Sequence, residues 1–119
     1  MKVVIVSNYL VELDNLVHTI NVTYPDWQVR RFTDPFMSAK FIQQNSADLA
    51  LIATRLRPVN GNELLRVLRR VKPELPIVLF ADAEEYRAIA RDAGANDYFV
   101  MPVTAESLRK FERLKKKVK

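Results

Sequence analysis

The side chains that could do chemistry in this chain are mostly arginines. Arg55, Arg57, Arg66, Arg69 and Arg70, with Lys72, fall close together in mid-sequence, and a second basic group closes the chain with Lys115, Lys116, Lys117 and Lys119. Arginine offers a planar fork of donors that suits carboxylate and phosphate. Such a cluster therefore attracts an acidic protein surface or a nucleic-acid backbone. Spaced along one helix, the same residues also serve as a solvated face with no partner. Other chemistry is scarce. The lone histidine, His18, has no Ser, Asp or Cys constellation around it and reads as a surface or half-buried helix residue. The absence of cysteine excludes disulfides and thiolate metal sites. With only two glycines, the chain has no glycine-rich loop to cradle a phosphate.

The stretch from Asp48 to Gly61 indicates what positions these residues. Leu49 to Thr54 is an apolar run without helical period, left through Pro58, Asn60 and Gly61, and predicts a strand buried on both faces. Helices must cover it. Phe36 to Gln44 and Asn62 to Val71 supply them, the second with Leu64, Leu65, Val67 and Leu68 apolar. Lys2 to Ser7 predicts another buried strand through Val3, Val4, Ile5 and Val6. Ser7 or Asn8 then caps a helix whose stripe is Leu10, Leu13, Leu16 or Val17, and Ile20, stopped by Tyr24-Pro25. Trp27 to Phe32 reads as an edge strand, with Trp27 as a packing residue. Asp34 caps, and Pro35 opens, a helix carrying Phe36, Ala39, Phe41 and Ile42. Pro76 to Phe80 is a further buried strand. Asp82 caps a helix through Tyr86, Ile89 and Ala90 to Gly94, and Asp97 to Met101 is the fifth strand. Pro102 and Thr104 open the last helix, with Leu108, Phe111 and Leu114 on its apolar side.

Five strands alternating with five helices predict one α/β domain over residues 1–119, a doubly wound sheet of order 2-1-3-4-5. The tail over 115–119 is expected to lead towards a linker. The opening apolar segment is too short for a signal peptide, no stretch spans a membrane, and a cytoplasmic protein is expected. The formal net charge of +5 points to an acidic or nucleic-acid partner. In such a sheet function collects at the carboxyl ends of the strands, here Ser7-Asn8, Ala53-Thr54, Ala81-Asp82 and Met101-Pro102. A neutral hollow lined by Ser7, Asn8, Thr54 and Asp82 is one reading of that edge.

The chain resembles the receiver domain of two-component response regulators over its whole length. The likeness lies in Asp48-Leu-Ala-Leu-Ile, in the Pro58 to Gly61 turn with Glu63-Leu64-Leu65, in Pro76-Ile-Val-Leu, and in Ala93 to Pro102. The resemblance implies a five-stranded flavodoxin-like fold, and it also implies chemistry that these residues lack. The family's phosphoacceptor aspartate falls at Ala53, which has no nucleophilic oxygen. Its cation-binding acidic pair falls at Ser7 and Asn8, its hydroxyl residue at Ala81, and its lysine at Met101, while the proline that follows a cis bond persists as Pro102. The expectation is therefore a pseudo-receiver with no catalysis, metal or cofactor, acting through a signalling or regulatory protein of acidic surface. The partner-binding candidates are Arg55, Arg57, Arg66, Arg69 and Arg70, and, on the face of helix four, strand five and helix five, Arg87, Arg91 and the switch aromatic Tyr98. That second face is also where receivers form homodimers, although Phe111 stands where one dimerising subfamily has arginine. Two alternatives remain open: a nucleic-acid-binding regulator using the basic surface, and a ligand-sensing domain using the vacated pocket. The first is less favoured, because no recognition helix is presented and no aromatics interleave with the arginines.

Overall fold

A computed structural model describes residues 1–117, with side chains through Leu114. Five parallel strands, β1 (Lys2–Val6), β2 (Gln28–Phe32), β3 (Leu49–Ala53), β4 (Ile77–Ala81) and β5 (Asp97–Val100), lie in the order β2-β1-β3-β4-β5. Helices α1 (Leu10–Thr23), α2 (Pro35–Gln44), α3 (Gly61–Val71), α4 (Arg87–Ala93) and α5 (Ala105–Lys117) alternate with them. Packing of α1 on α5, and of α2 on α3 on α4, sandwiches the sheet. This is the order expected from the sequence. The side chains of the lysine tail lie outside the described residues.

β3 and β4 are buried at every residue, as period-free apolar runs require, whereas β2 at the edge is largely exposed. Ring contacts tie β4, β5 and α5 together: Phe80 stacks on Phe99 at 5.0 Å, and Phe99 meets Phe111 in a tilted contact at 5.4 Å. Trp27 packs as expected, 7% exposed and stacked on Tyr24 at 4.2 Å. The helical stripes are narrower than the periodicity implies. Leu13, Leu16 and Ile20, and Leu64, Leu65 and Leu68, are buried, but Leu10, Phe36, Val67 and Ile89 are exposed. Leu10 and Phe36 lie in the first turns of α1 and α2 with their side chains turned to solvent.

Helix starts divide into those the sequence announces and those it does not. The Phe36 N–H donates to Asp34 Oδ1 at 2.9 Å with Pro35 in the first turn, and Thr104 Oγ1 accepts the Ser107 N–H at 3.1 Å. Gly94 closes α4 at a φ of 103°, a left-handed position that glycine adopts freely. Two expectations need correction. Neither Ser7 nor Asn8 caps α1; Tyr9 occupies the cap position without a side-chain bond, because both residues are engaged elsewhere. Asp82 caps nothing either. α4 is preceded by a single 3-10 turn at Glu84–Tyr86 that starts after Ala83.

The start of α3 is the most constrained of all. Asn60 and Glu63 form a reciprocal capping box, and the Gly61 N–H donates to the Thr54 carbonyl at 2.9 Å. A Cβ at position 61 would lie 2.3 Å from the Ala53 carbonyl oxygen and 2.9 Å from the Thr54 Cα. Space, not backbone freedom, demands glycine there. Gly61→Ala should therefore force β3 and α3 apart and cost about 1–3 kcal/mol, read as a lower urea midpoint at unchanged slope.

Candidate functional site

At the carboxyl edge a cleft of about 240 Å³ opens between Tyr9, Glu12, Ala53, Arg55, Phe80, Ala81 and Asp82. Its floor is apolar, with Ala53 4% and Ala81 5% exposed. Its rim is charged, with Arg55 Nη1 at 3.8 Å from Asp82 Oδ1. The neutral hollow expected from the sequence is thus corrected in two ways. Ser7 is fully buried and Thr54 nearly so, both outside the lining, while Glu12 and Tyr9 enter it. Both come from the start of α1, which turns its first residues over the strand ends; their positions just beyond Ser7-Asn8 were the available signal.

Ser7 and Asn8 act as fasteners. The Ser7 hydroxyl donates to Glu12 Oε1 at 2.6 Å and accepts the Tyr9 N–H at 3.1 Å. Asn8 brackets the Arg57 peptide: its Oδ1 accepts the Arg57 N–H at 2.8 Å, and its Nδ2 donates to the Arg57 carbonyl at 3.2 Å and to the Thr33 carbonyl at 2.8 Å. One neutral amide therefore joins the loops after β1, β2 and β3. Met101 is half-buried, and its N–H donates to the Ala81 carbonyl at 2.9 Å. The Met101–Pro102 bond is cis, as the resemblance implies, and so is Arg57–Pro58.

Beside the cleft, Tyr98 points inward and is 4% exposed, with its hydroxyl donating to the Ala83 carbonyl. Tyr98, named from the sequence as a partner-binding candidate on the face of helix four, strand five and helix five, thus turns its ring into the fold rather than out of that face. Arg87 braces it, lying 5.2 Å from the ring centroid and donating through Nη1 to the Tyr98 carbonyl at 3.1 Å. Arg87 also pairs with Glu84, and sits 3.9 Å from Asp97. The hydrogen bond from Arg87 holds the Glu84 carboxyl below its ordinary range. Burial, followed by the nearby Glu84 charge, raises the Tyr98 phenol. Arg91 and Ile89 are among the exposed residues of α4.

The sequence matches the response regulator receiver domain over residues 3–112. The chain belongs to this family. A curated relative, the cyclic di-GMP phosphodiesterase response regulator RpfG of Xanthomonas campestris pv. campestris (strain 8004), is 30% identical over 113 residues. That alignment covers 92% of this chain and 30% of the relative, so the chain spans under a third of that protein's length. Among solved structures, a putative response regulator from Chloroflexus aurantiacus J-10-fl superposes with a TM-score of 0.87 at 20% identity, covering 97% of each chain. The receiver domain of a sensor histidine kinase from Pseudomonas aeruginosa PAO1, with a magnesium ion coordinated in its active-site cleft, gives 0.84 at 19% identity and 97% of each chain. At such identities the likeness is one of fold.

On this receiver the candidate arginines have separate fates. Arg55 and Arg57 sit exposed on the loop after β3. Arg69 is corrected as a docking residue. Half-buried, it donates to the carbonyls of Leu75 and, at 3.1 Å, Gly94, and to the side chain of Asn96, whose Oδ1 also accepts the Ile77 N–H at 2.9 Å. It ties α3 to the segments before β4 and β5, and burial pushes its guanidinium below the ordinary arginine value. Arg66 and Arg70 stay exposed, with no ion pair among the described residues. Replacing Arg69 with Met should cost about 1–3 kcal/mol, since the Leu75 and Gly94 carbonyls and the Asn96 side chain lose a charged donor. Arg66→Glu and Arg70→Glu should each change stability by less than about 0.5 kcal/mol, all three read from urea midpoints.

The Tyr98 shift sets a second expectation. The unfolded phenol titrates near 10.0, and the folded one above it. The fold thus keeps this contribution below pH 10.0 and loses it as pH rises through the folded value. Tyr24, raised first by burial and then by Glu112, acts in the same direction. Thermal midpoints should fall above that pH, and fall less steeply in Tyr98→Phe.

Proposed function

We propose that this receiver is a protein-interaction module in two-component signalling that works without accepting a phosphoryl group and has no catalysis of its own. Ala53 carries the reading. It ends β3 on the floor of the cleft, at the family's acceptor position, and its methyl group offers no oxygen to attack phosphorus.

The surrounding donors do not fit the divalent cation that the family uses. Hard cations are held by oxygen ligands, carboxylates above all. The two carboxylates lining the cleft are already engaged, Glu12 with the Ser7 hydroxyl and Asp82 with Arg55. Asn8 turns its oxygen to the Arg57 N–H, and Arg55 places a permanent positive charge at the mouth. Among the described residues no group of three or more His, Cys, Asp or Glu is placed to hold a metal. Tyr98 supports the same reading, since its inward position rests on the Ala83 carbonyl and Arg87, groups present at all times.

The curated relative joins a response-regulator name to a cyclic di-GMP phosphodiesterase activity, and this chain matches 30% of its length. We assign the chain the regulatory share of such an arrangement, exerted on a partner or a neighbouring domain. No described helix is long and apolar enough to cross a membrane, and the working surface we assign is solvent-facing. Incubation with acetyl phosphate, or with beryllofluoride, in the presence of Mg²⁺ should leave both the intact mass and the amide spectrum unchanged. A stoichiometric phosphoadduct, or amide shifts centred on Ala53, Ala81 and Tyr98, overturns the proposal.

A further inference from the structure

A cavity larger than the cleft lies elsewhere on the molecule. A groove of about 540 Å³ lies at the opposite edge of the sheet, at the carboxyl ends of α2 and α3, lined chiefly by Ile42, Ala47, Val71, Pro73, Leu75 and Pro76. An exposed apolar flank of α3 leads up to it through Val71. Val67 is 49% and Val71 40% exposed, one turn apart, on a helix whose core contacts are made by Leu64, Leu65 and Leu68. At about 100° per residue, Val67 lies across the helix from Arg69, which reaches Gly94 and Asn96 beside α4. The valine flank therefore turns towards α2, with which α3 packs.

Charge runs beside the valines in the same period. Arg66 and Arg70 each precede a valine, are one turn apart and exposed, and have no ion pair among the described residues. Lys72 adds a cation within the groove lining itself. Of the two acids there, Asp48 accepts the Lys2 N–H at 2.8 Å, which leaves Glu74 as an exposed one. An apolar groove with a periodic cationic rim is the complement of a helix carrying apolar residues and carboxylates, each repeated at one-turn spacing.

We infer that the α2–α3 groove docks an acidic amphipathic helix of a partner protein, its apolar residues against Val67, Val71 and the groove and its carboxylates against Arg66 and Arg70. This names the partner chemistry for the interaction module proposed above and rests on that reading. A second copy fits poorly. Two-fold pairing would set the arginine rims against each other in a chain of formal net charge +5. A nucleic-acid backbone would answer the arginines and leave the valines and groove uncovered.

The test uses a labelled synthetic helix with leucine on one face and glutamate beside it. Its controls are the same peptide with lysine for glutamate, the same with serine for leucine, and a short mixed-sequence DNA duplex. Anisotropy should detect binding of the acidic amphipathic peptide alone, with amide shifts at Ile42, Val67, Val71 and Leu75. The double variant Arg66→Glu, Arg70→Glu should weaken it about tenfold, and Val71→Asp should do so comparably, with urea midpoints confirming that both variants fold. The proposal is overturned by no binding, by equal binding of the lysine or serine peptide, or by shifts centred on α4 and β5. Duplex binding that depends on the arginines and ignores Val71→Asp also overturns it and marks a nucleic-acid surface. A phosphoadduct at the cleft would sink the functional reading and leave the peptide result standing, whereas an inert cleft without peptide binding removes the docking site alone.

Discussion

A parallel sheet covered on both faces confines its polar business to two edges. Every strand enters and leaves through a loop there, and the backbone groups of those loops have to find partners. In this receiver the side chains at the carboxyl edge meet that demand first. Asn8 serves three loops at once, Asn60 and Glu63 satisfy the first turn of α3, and Gly61 lets that turn lie directly against the end of β3. Residues fastened in this way are poorly placed to bind an ion or a phosphoryl group. The fold and the proposed silence of the cleft thus have a common origin in how the strand ends are closed.

Much of this fold could be read from the chain because it rests on local rules. The period-free runs at Leu49–Ala53 and Ile77–Ala81 admit little but buried strands, and Asp34-Pro35 and Gly94 mark helix ends by steric necessity. What stayed hidden depends on distant neighbours. Arg69 has the same local signature as Arg66 and Arg70, and only the return of Gly94 and Asn96 to its side of the sheet makes it internal. Glu12 looks like an ordinary first-turn acid, yet the Ser7 hydroxyl draws it into the cleft. Asp82 has the type of a cap and loses that role because Arg55 stands across the cleft and the next turn starts later.

The basic character of the chain likewise separates by place. Glu63 in the first turn of α3 and Arg69 and Arg70 in its last complement the helix dipole, which accounts for part of the cluster without any partner. Arg87 neutralises its own surroundings through Glu84 and Asp97. Arg66 and Arg70 on the outer face of α3 are neither paired among the described residues nor internal, and there the positive charge falls beside exposed valines. That coincidence is the ground for the docking site proposed on α3.

The stack at the corner between α1 and β2 has an optical consequence. Trp27 is the only tryptophan, and its indole lies 4.2 Å from the Tyr24 ring with the planes 2° apart. Light at the red edge of the aromatic band excites the indole and not the tyrosines, so the emission it elicits comes from a single known place. The corner lies at the amino-terminal edge, where β2 begins, while the cleft opens at the other end of the strands. Intrinsic fluorescence therefore follows the melting of the α1–β2 corner and stays dark to events at the carboxyl edge, and a titration of that cleft needs a reporter placed there by design.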